Sequence, residues 1–183
     1  MDSEKFNDMQ LVKRRMFAMR NGIVADALRT GGSPFRVVFG VNLPQLKEIA
    51  ADTGTNESLA RALYADAGTR ESMLIAPMLM PPEAMTTDLA IEWLGQAPCV
   101  EVSDILCHSL LKKLPNALEI ARRALASEEP MLRYGGVRLA WNLLPVAGGV
   151  LRPDIEKEAA RGDRLTQRPA QSFLEEYDFL SAL

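Results

Sequence analysis

Apolar residues recur along this chain at the three-to-four-residue interval of a helix, with no convincing two-residue alternation of a strand. From Glu4 to about Arg29 they fall at Leu11, Met16, Met19, Ile23 and Leu28, which predicts one long helix. Gly31-Gly32-Ser33-Pro34 then breaks the chain. Val37-Val38-Phe39 is strand-like, yet too short and isolated to build a sheet. Asn42 caps a helix with Pro44 in its first turn, running to about Ala51. Thr55-Asn56-Glu57-Ser58 opens a helix to Ala67, and Thr69-Arg70-Glu71-Ser72 opens another to Met80; in both, the threonine side chain is the expected cap. After Pro81-Pro82, Thr86 or Thr87 starts a helix through Trp93. Further helices are predicted from about Cys99 to Lys113, from Asn116 to Ala126 and from Met131 to Leu144. Gly148-Gly149 breaks again, leaving shorter helices near Asp154–Ala160 and Ala170–Leu180.

Eight to ten short helices with very short connections must pack antiparallel, pair by pair. Hairpins of that spacing build HEAT-like α-solenoids, the ARM-type α-α superhelix, and that all-α class is the expectation over a compact non-repeating bundle. The length of 183 residues suits a single all-helical domain spanning 1–183. Few aromatics, at 6%, with abundant Ala, Leu and Met point the same way.

One histidine and two cysteines exclude zinc fingers, disulfide scaffolds and mechanisms needing two histidines, so neither metal nor cofactor is expected. Cys99 and Cys107, eight apart, form no CxxC motif. Met1-Asp2-Ser3-Glu4-Lys5-Phe6 lacks the basic-then-apolar order of a signal peptide, and the apolar run Met73–Met80 is broken by Pro77 and far too short to span a bilayer. A cytoplasmic protein with no membrane partner and reduced thiols is expected.

The net charge of −3 conceals a pattern. Residues 1–36 carry +3, residues 37–104 carry −7, residues 105–138 carry +3 and residues 139–183 carry −2. Lys13-Arg14-Arg15, Lys112-Lys113 and Arg122-Arg123 are therefore candidates for a basic strip, against the plainer reading of solvated helix faces.

On the helix from Cys99, a projection at 100° per residue puts Val102, Leu106, Ser109 and Lys113 on one line. Val100, Asp104, Cys107 and Leu111 fall on the opposite one. A helix apolar on two sides and carrying one carboxylate is expected to be sandwiched or to line a groove. His108, four residues on, can touch Asp104; an ordinary Asp–His surface pair or a polar bridge between helices is the alternative. Gly135-Gly136 lacks a strand–loop–helix context for phosphate and reads as a close helix contact. Trp93 and Trp141 read as core anchors, and the nine methionines as core filler.

Phe39-Gly40-Val41-Asn42-Leu43-Pro44-Gln45-Leu46 resembles the DNA alkylation repair (AlkD-like) family of HEAT-like glycosylases. So do Leu59–Tyr64, Arg70–Ala76, Trp93 and Val102-Ser103-Asp104. The resemblance covers roughly residues 37–145. It implies a concave basic surface for duplex DNA, with Asp104 at the position of the family's catalytic aspartate, which stabilises the cationic sugar as an alkylpurine leaves. With the basic segments it makes Lys112, Lys113, Arg122, Arg123, Arg133 and Tyr134 the expected DNA-contacting residues. The chain departs from the family pattern in three places. Val100 stands where a tryptophan precedes the aspartate by one turn. In Met131-Leu132-Arg133-Tyr134-Gly135-Gly136 the family arginine becomes Tyr134 or is supplied by Arg133. No tryptophan-bearing helix follows Gly149. Two other readings compete with DNA repair: a catalytically silent scaffold holding a protein partner, and a small-molecule pocket near Cys107 and His108.

Overall fold

The computed structural model describes residues 7–183. The signal-peptide reading of residues 1–6, and the first residues of the predicted opening helix, lie outside them. Ten α-helices follow one another: α1 Asp8–Ala18, α2 Gly22–Thr30, α3 Leu43–Thr53, α4 Glu57–Ala65, α5 Arg70–Leu79, α6 Thr87–Gln96, α7 Val100–Ser109, α8 Ala117–Leu125, α9 Pro130–Arg161 and α10 Gln167–Ser181. Two 3-10 turns, Pro82–Ala84 and Leu111–Lys113, complete the set among the described residues. Among the described residues, those up to Ala84 form one compact unit and those from Met85 to Leu183 another.

In the first unit the predicted opening helix is two helices. Asn21 stops the run by turning extended, and its side chain accepts from the Val24 amide to start α2. Asn42 caps α3 through a capping box with Gln45. Asn56, rather than Thr55, caps α4, and Thr69 stands at the start of α5 without a side-chain cap bond. The strand-like run makes a single bridge, Val37 with Thr69. Helix α5 is buried continuously from Arg70 to Pro77 and forms the centre of this unit. Its Glu71, fully buried, accepts from the amides of Phe39, Gly40 and Val41 at 3.0, 2.9 and 3.3 Å and from Arg70 at 2.8 Å. Gly40 is required there: its φ is +74°, and a Cβ would lie 2.2 Å from the Asn21 carbonyl oxygen.

In the second unit, α9 is helical through Gly148-Gly149, where a break is expected from sequence. It is not a straight rod. Arg133 and Glu158 lie 25 residues apart, about 38 Å along a straight helix, yet their side chains bond at 2.9 Å. The helix therefore folds back on itself, with the corner midway between them, at Pro145-Val146-Ala147-Gly148-Gly149. Pro145 cannot donate to the carbonyl one turn back, and Val146 is 81% exposed at the tip. The sequence signal was a real corner, made without a loop.

The two limbs are tied by one buried network. Arg133, 4% exposed, donates to Glu158, to Asp163 at 2.6 Å, and to the carbonyls of Ser127 and Glu128. Thr166 donates to the same Glu158 carboxylate. Burial alone would discourage the guanidinium charge, but Glu158 and Asp163 outweigh it and hold the charge more firmly than usual.

Candidate nucleic-acid interface

Helix α7 buries one broad face, comprising Val102, Ser103, Leu106 and Cys107 and continued by Leu110 and Leu111. The two opposite apolar stripes expected from projection are thus one stripe with flanks: Val100 is 39% exposed and Ile105 half-buried. The first limb of α9 covers that face, and glycine sets the approach. A Cβ at Gly135 would sit 2.7 Å from a Leu94 methyl and 3.2 Å from the Ser103 hydroxyl. At Gly136 it would sit 2.8 Å from the Leu125 amide nitrogen. The glycine pair is the close helix contact its sequence context predicted. Trp93 is buried, as a core anchor is; Trp141 is half-buried, lies edge-on to Phe173 and donates to the Pro169 carbonyl at 3.1 Å.

Close approach of α7 and α9 places Asp104 opposite two donors. Its Oδ1 accepts from the Tyr134 hydroxyl at 2.9 Å and from Arg138 Nε at 2.7 Å. Asp104 and Arg138 keep about a third of their side-chain surface exposed, 34% and 35%. Burial first, then the Asp104 charge and its hydrogen bond, push the Tyr134 phenol far above its ordinary value. Burial likewise pushes up the Cys107 thiol, whose sulfur lies 3.5 Å from the Gly135 carbonyl oxygen. That thiol is an inert core group. His108 does not pair with Asp104; it approaches Asn142 and Lys112 instead, because α9 supplies nearer partners to both residues.

Arg138 is the residue that sequence reading missed. Its signal was available: it lies one turn after Tyr134, on the same α9 face, at the end of the +3 segment. With Nε bonded to Asp104, the guanidinium still has the donors of its two terminal nitrogens to offer a further partner.

The other candidate residues are dispersed through the unit. Lys112 and Lys113 occupy the 3-10 turn after α7, half-buried and exposed respectively. Arg122 and Arg123, each about half exposed, stand on α8 and pair with Asp154 at 3.4 Å and with Asp88. Tyr134 is 7% exposed, and its hydroxyl donates to the partly exposed Asp104. Arg133 is the exception to an exposed basic surface, since its charge is neutralised inside the unit by Glu158 and Asp163. Among the described residues no three His, Cys, Asp or Glu side chains gather where they could hold a metal ion, and no helix is long and apolar enough to cross a membrane.

A family model described as DNA alkylation repair enzyme matches residues 13–143. The chain belongs to that family. The match begins in α1, well before the stretch that carried the resemblance, and ends on the first limb of α9, short of its corner. No curated protein matches this family member. A solved structure resembles it with a TM-score of 0.73 at 22% identity, over 91% of this chain and 74% of the other. That structure is of a new family of proteins related to the HEAT-like repeat DNA glycosylases with affinity for branched DNA structures. The all-α, HEAT-like fold of this family member agrees with the class its helix spacing predicts.

Proposed function

We propose that this family member is a DNA-binding protein, and that Asp104 serves to hold Arg138 toward a backbone phosphate. The supporting observation is the convergence of the Tyr134 hydroxyl and Arg138 Nε on a single Asp104 oxygen. A guanidinium 2.7 Å away offsets the field that a carboxylate would otherwise exert on a cationic sugar. The same contact fixes the arginine's orientation, so less side-chain freedom is lost when its two terminal nitrogens grip a phosphate in two-point fashion. Lys112, Lys113, Arg122 and Arg123 add sequence-independent phosphate contacts.

Family membership also supports a second reading, excision of cationic alkylpurines, in which the half-exposed Asp104 faces the developing positive charge. One experiment separates them. Binding of unmodified, alkylated and four-way-junction DNA is measured beside release of 7-methylguanine and 3-methyladenine. Binding of DNA that weakens several-fold in Asp104→Asn and in Arg138→Gln, with no base released even at high protein concentration, is the expected result. Release of methylated base that Asp104→Asn abolishes assigns excision instead. A chain that shifts none of these DNAs at low salt returns the choice to a protein-binding scaffold.

A further inference from the structure

Two triplets of polar side chains face each other along the seam between α7 and α9. Asp104, His108 and Lys112 recur every fourth residue on α7 and the turn after it; Tyr134, Arg138 and Asn142 recur every fourth residue on α9. At one end Tyr134 and Arg138 both donate to Asp104, and the polar groups are satisfied. At the other end, where His108 is exposed, the three side chains cannot all satisfy one another. His108 Nδ1 lies 3.2 Å from Asn142 Oδ1 and 3.2 Å from Lys112 Nζ. Asn142 Nδ2 donates to the Arg138 carbonyl at 2.8 Å, which turns the accepting oxygen toward the imidazole. The lysine ammonium can only donate. With a proton on Nδ1, the ring serves Asn142 and sets an N–H against the ammonium. Without it, the ring serves Lys112 and two acceptors face each other. Neither neutral tautomer suits both neighbours.

An anion removes the conflict. A phosphate oxygen draws the Lys112 ammonium to itself, Nδ1–H donates to Asn142, and Nε2–H of the same ring is free to donate to the phosphate. We propose that Lys112 and His108, backed by Asn142, form a seat for a DNA backbone phosphate one helical turn along from Arg138, and that filling it protonates His108 with one proton drawn from the buffer. This rests on the DNA-binding reading above. The charged residues on the elements that meet at the ring are Glu101 and Asp104 on its own helix, Lys112 and Lys113 on the following turn, and Arg138 on the facing part of α9. A phosphate oxygen at Nε2 pairs directly with an imidazolium, which is the form that can donate to Asn142 and to the phosphate together.

His108 is the chain's single histidine, so its ring protons give one resolved signal that reports this seat alone. Binding of a short labelled duplex of unmodified DNA by the full chain is compared with His108→Gln and Lys112→Gln, from about pH 8 to about pH 5.5. The wild type is expected to gain about tenfold more affinity over that range than His108→Gln does. Calorimetry in two buffers should show proton uptake that the variant lacks. At neutral pH the duplex should move the ring signal toward its protonated position in the wild type, and less in Lys112→Gln. An unchanged pH dependence in His108→Gln, or a ring signal that stays still while duplex is bound, overturns the seat and leaves DNA binding standing. Inorganic phosphate that moves the signal as far as an equal concentration of duplex shows a free-phosphate site and overturns the DNA assignment. A wild type that binds no duplex at low salt removes both readings together.

Discussion

At the scale of single residues, the glycines of α9 carry more of the site than their lack of chemistry suggests. Gly136 lets α9 lie against the backbone of α8, since a Cβ there would come within 2.8 Å of the Leu125 amide nitrogen. Backbone cannot rotate aside as a side-chain tip can. Gly136→Ala gains about 1 kcal/mol of helix propensity but forces displacement costing about 1–3 kcal/mol. The expected outcome is a lower melting temperature and weaker DNA binding, because α9 moves with Arg138 on it. Gly22 is the control: nothing lies within 4 Å of its Cβ position at the start of α2. Gly22→Ala should leave the melting temperature unchanged or slightly raised, and equal losses in both variants would refute the packing argument. Arg133 tests a different residue-scale claim. Its removal leaves Glu158 buried beside Asp163 without their main cation, so Arg133→Met should cost about 3–5 kcal/mol in denaturant unfolding. A loss of DNA affinity without loss of stability would instead make it a surface contact.

At the scale of elements, α1 is fastened to the rest of its unit by charge as well as by the burial of Val12 and Met16. Lys13 bonds Asp66 at 2.7 Å and Arg15 bonds Asp52 at 2.7 Å. Burial of Asp66 acts to raise its pKa, but the Lys13 hydrogen bond and charge, with neighbouring hydroxyls, prevail and hold the carboxyl below its ordinary value. A lowered native pKa means the unfolded chain takes up the proton first as pH falls. The resulting stability is present above about pH 4 and disappears as pH drops through the native value. Lys13→Gln should therefore lower the melting temperature at neutral pH and flatten its acid-side decline. The pair is partly exposed, so the effect is about 1 kcal/mol at most. An acid limb identical to the wild type would assign that decline to other carboxylates.

Most helices and their order were legible because their periodicity is local and some carry their own cap, as Asn42 and Thr86 illustrate. The start of α4 was misplaced by one residue because Thr55 and Asn56 are both competent caps, and only tertiary placement of the chain chooses between them. Asp104 was legible as a lone carboxylate beside an apolar stripe. Its partners were not, because the choice between His108 on its own helix and Arg138 on another depends on how closely α9 approaches. Arg133 and Arg138 look alike in sequence, five residues apart in one basic segment. Burial against Glu158 separates their roles, and that acid comes from beyond the corner of the same helix.

At the scale of the whole molecule, the modest net charge of −3 is compatible with DNA binding, because local segments of opposite sign act within a screening length of about 8–10 Å. Phosphate contacts release counterions, so affinity should fall linearly with salt on logarithmic axes. If Arg122 and Arg123 each neutralise a phosphate, Arg122→Gln and Arg123→Gln should each reduce that slope by about 1, uniformly across sequences. Their present pairing with Asp154 and Asp88 does not preclude this, since both are about half exposed and surface pairs exchange readily. An unchanged slope in both variants would remove α8 from the interface.

The fold-back of α9 separates two boundaries that are easily conflated. Family similarity stops at residue 143, on the first limb, after Asp104, Tyr134, Arg138 and Asn142 have all been encountered. A chain trimmed to that similarity would keep every letter of the site. It would lack Glu158, Asp163 and Thr166, the return stroke that closes around Arg133 one residue before Tyr134. The inherited pattern supplies the instrument, and a stretch of chain outside that pattern keeps it in tune.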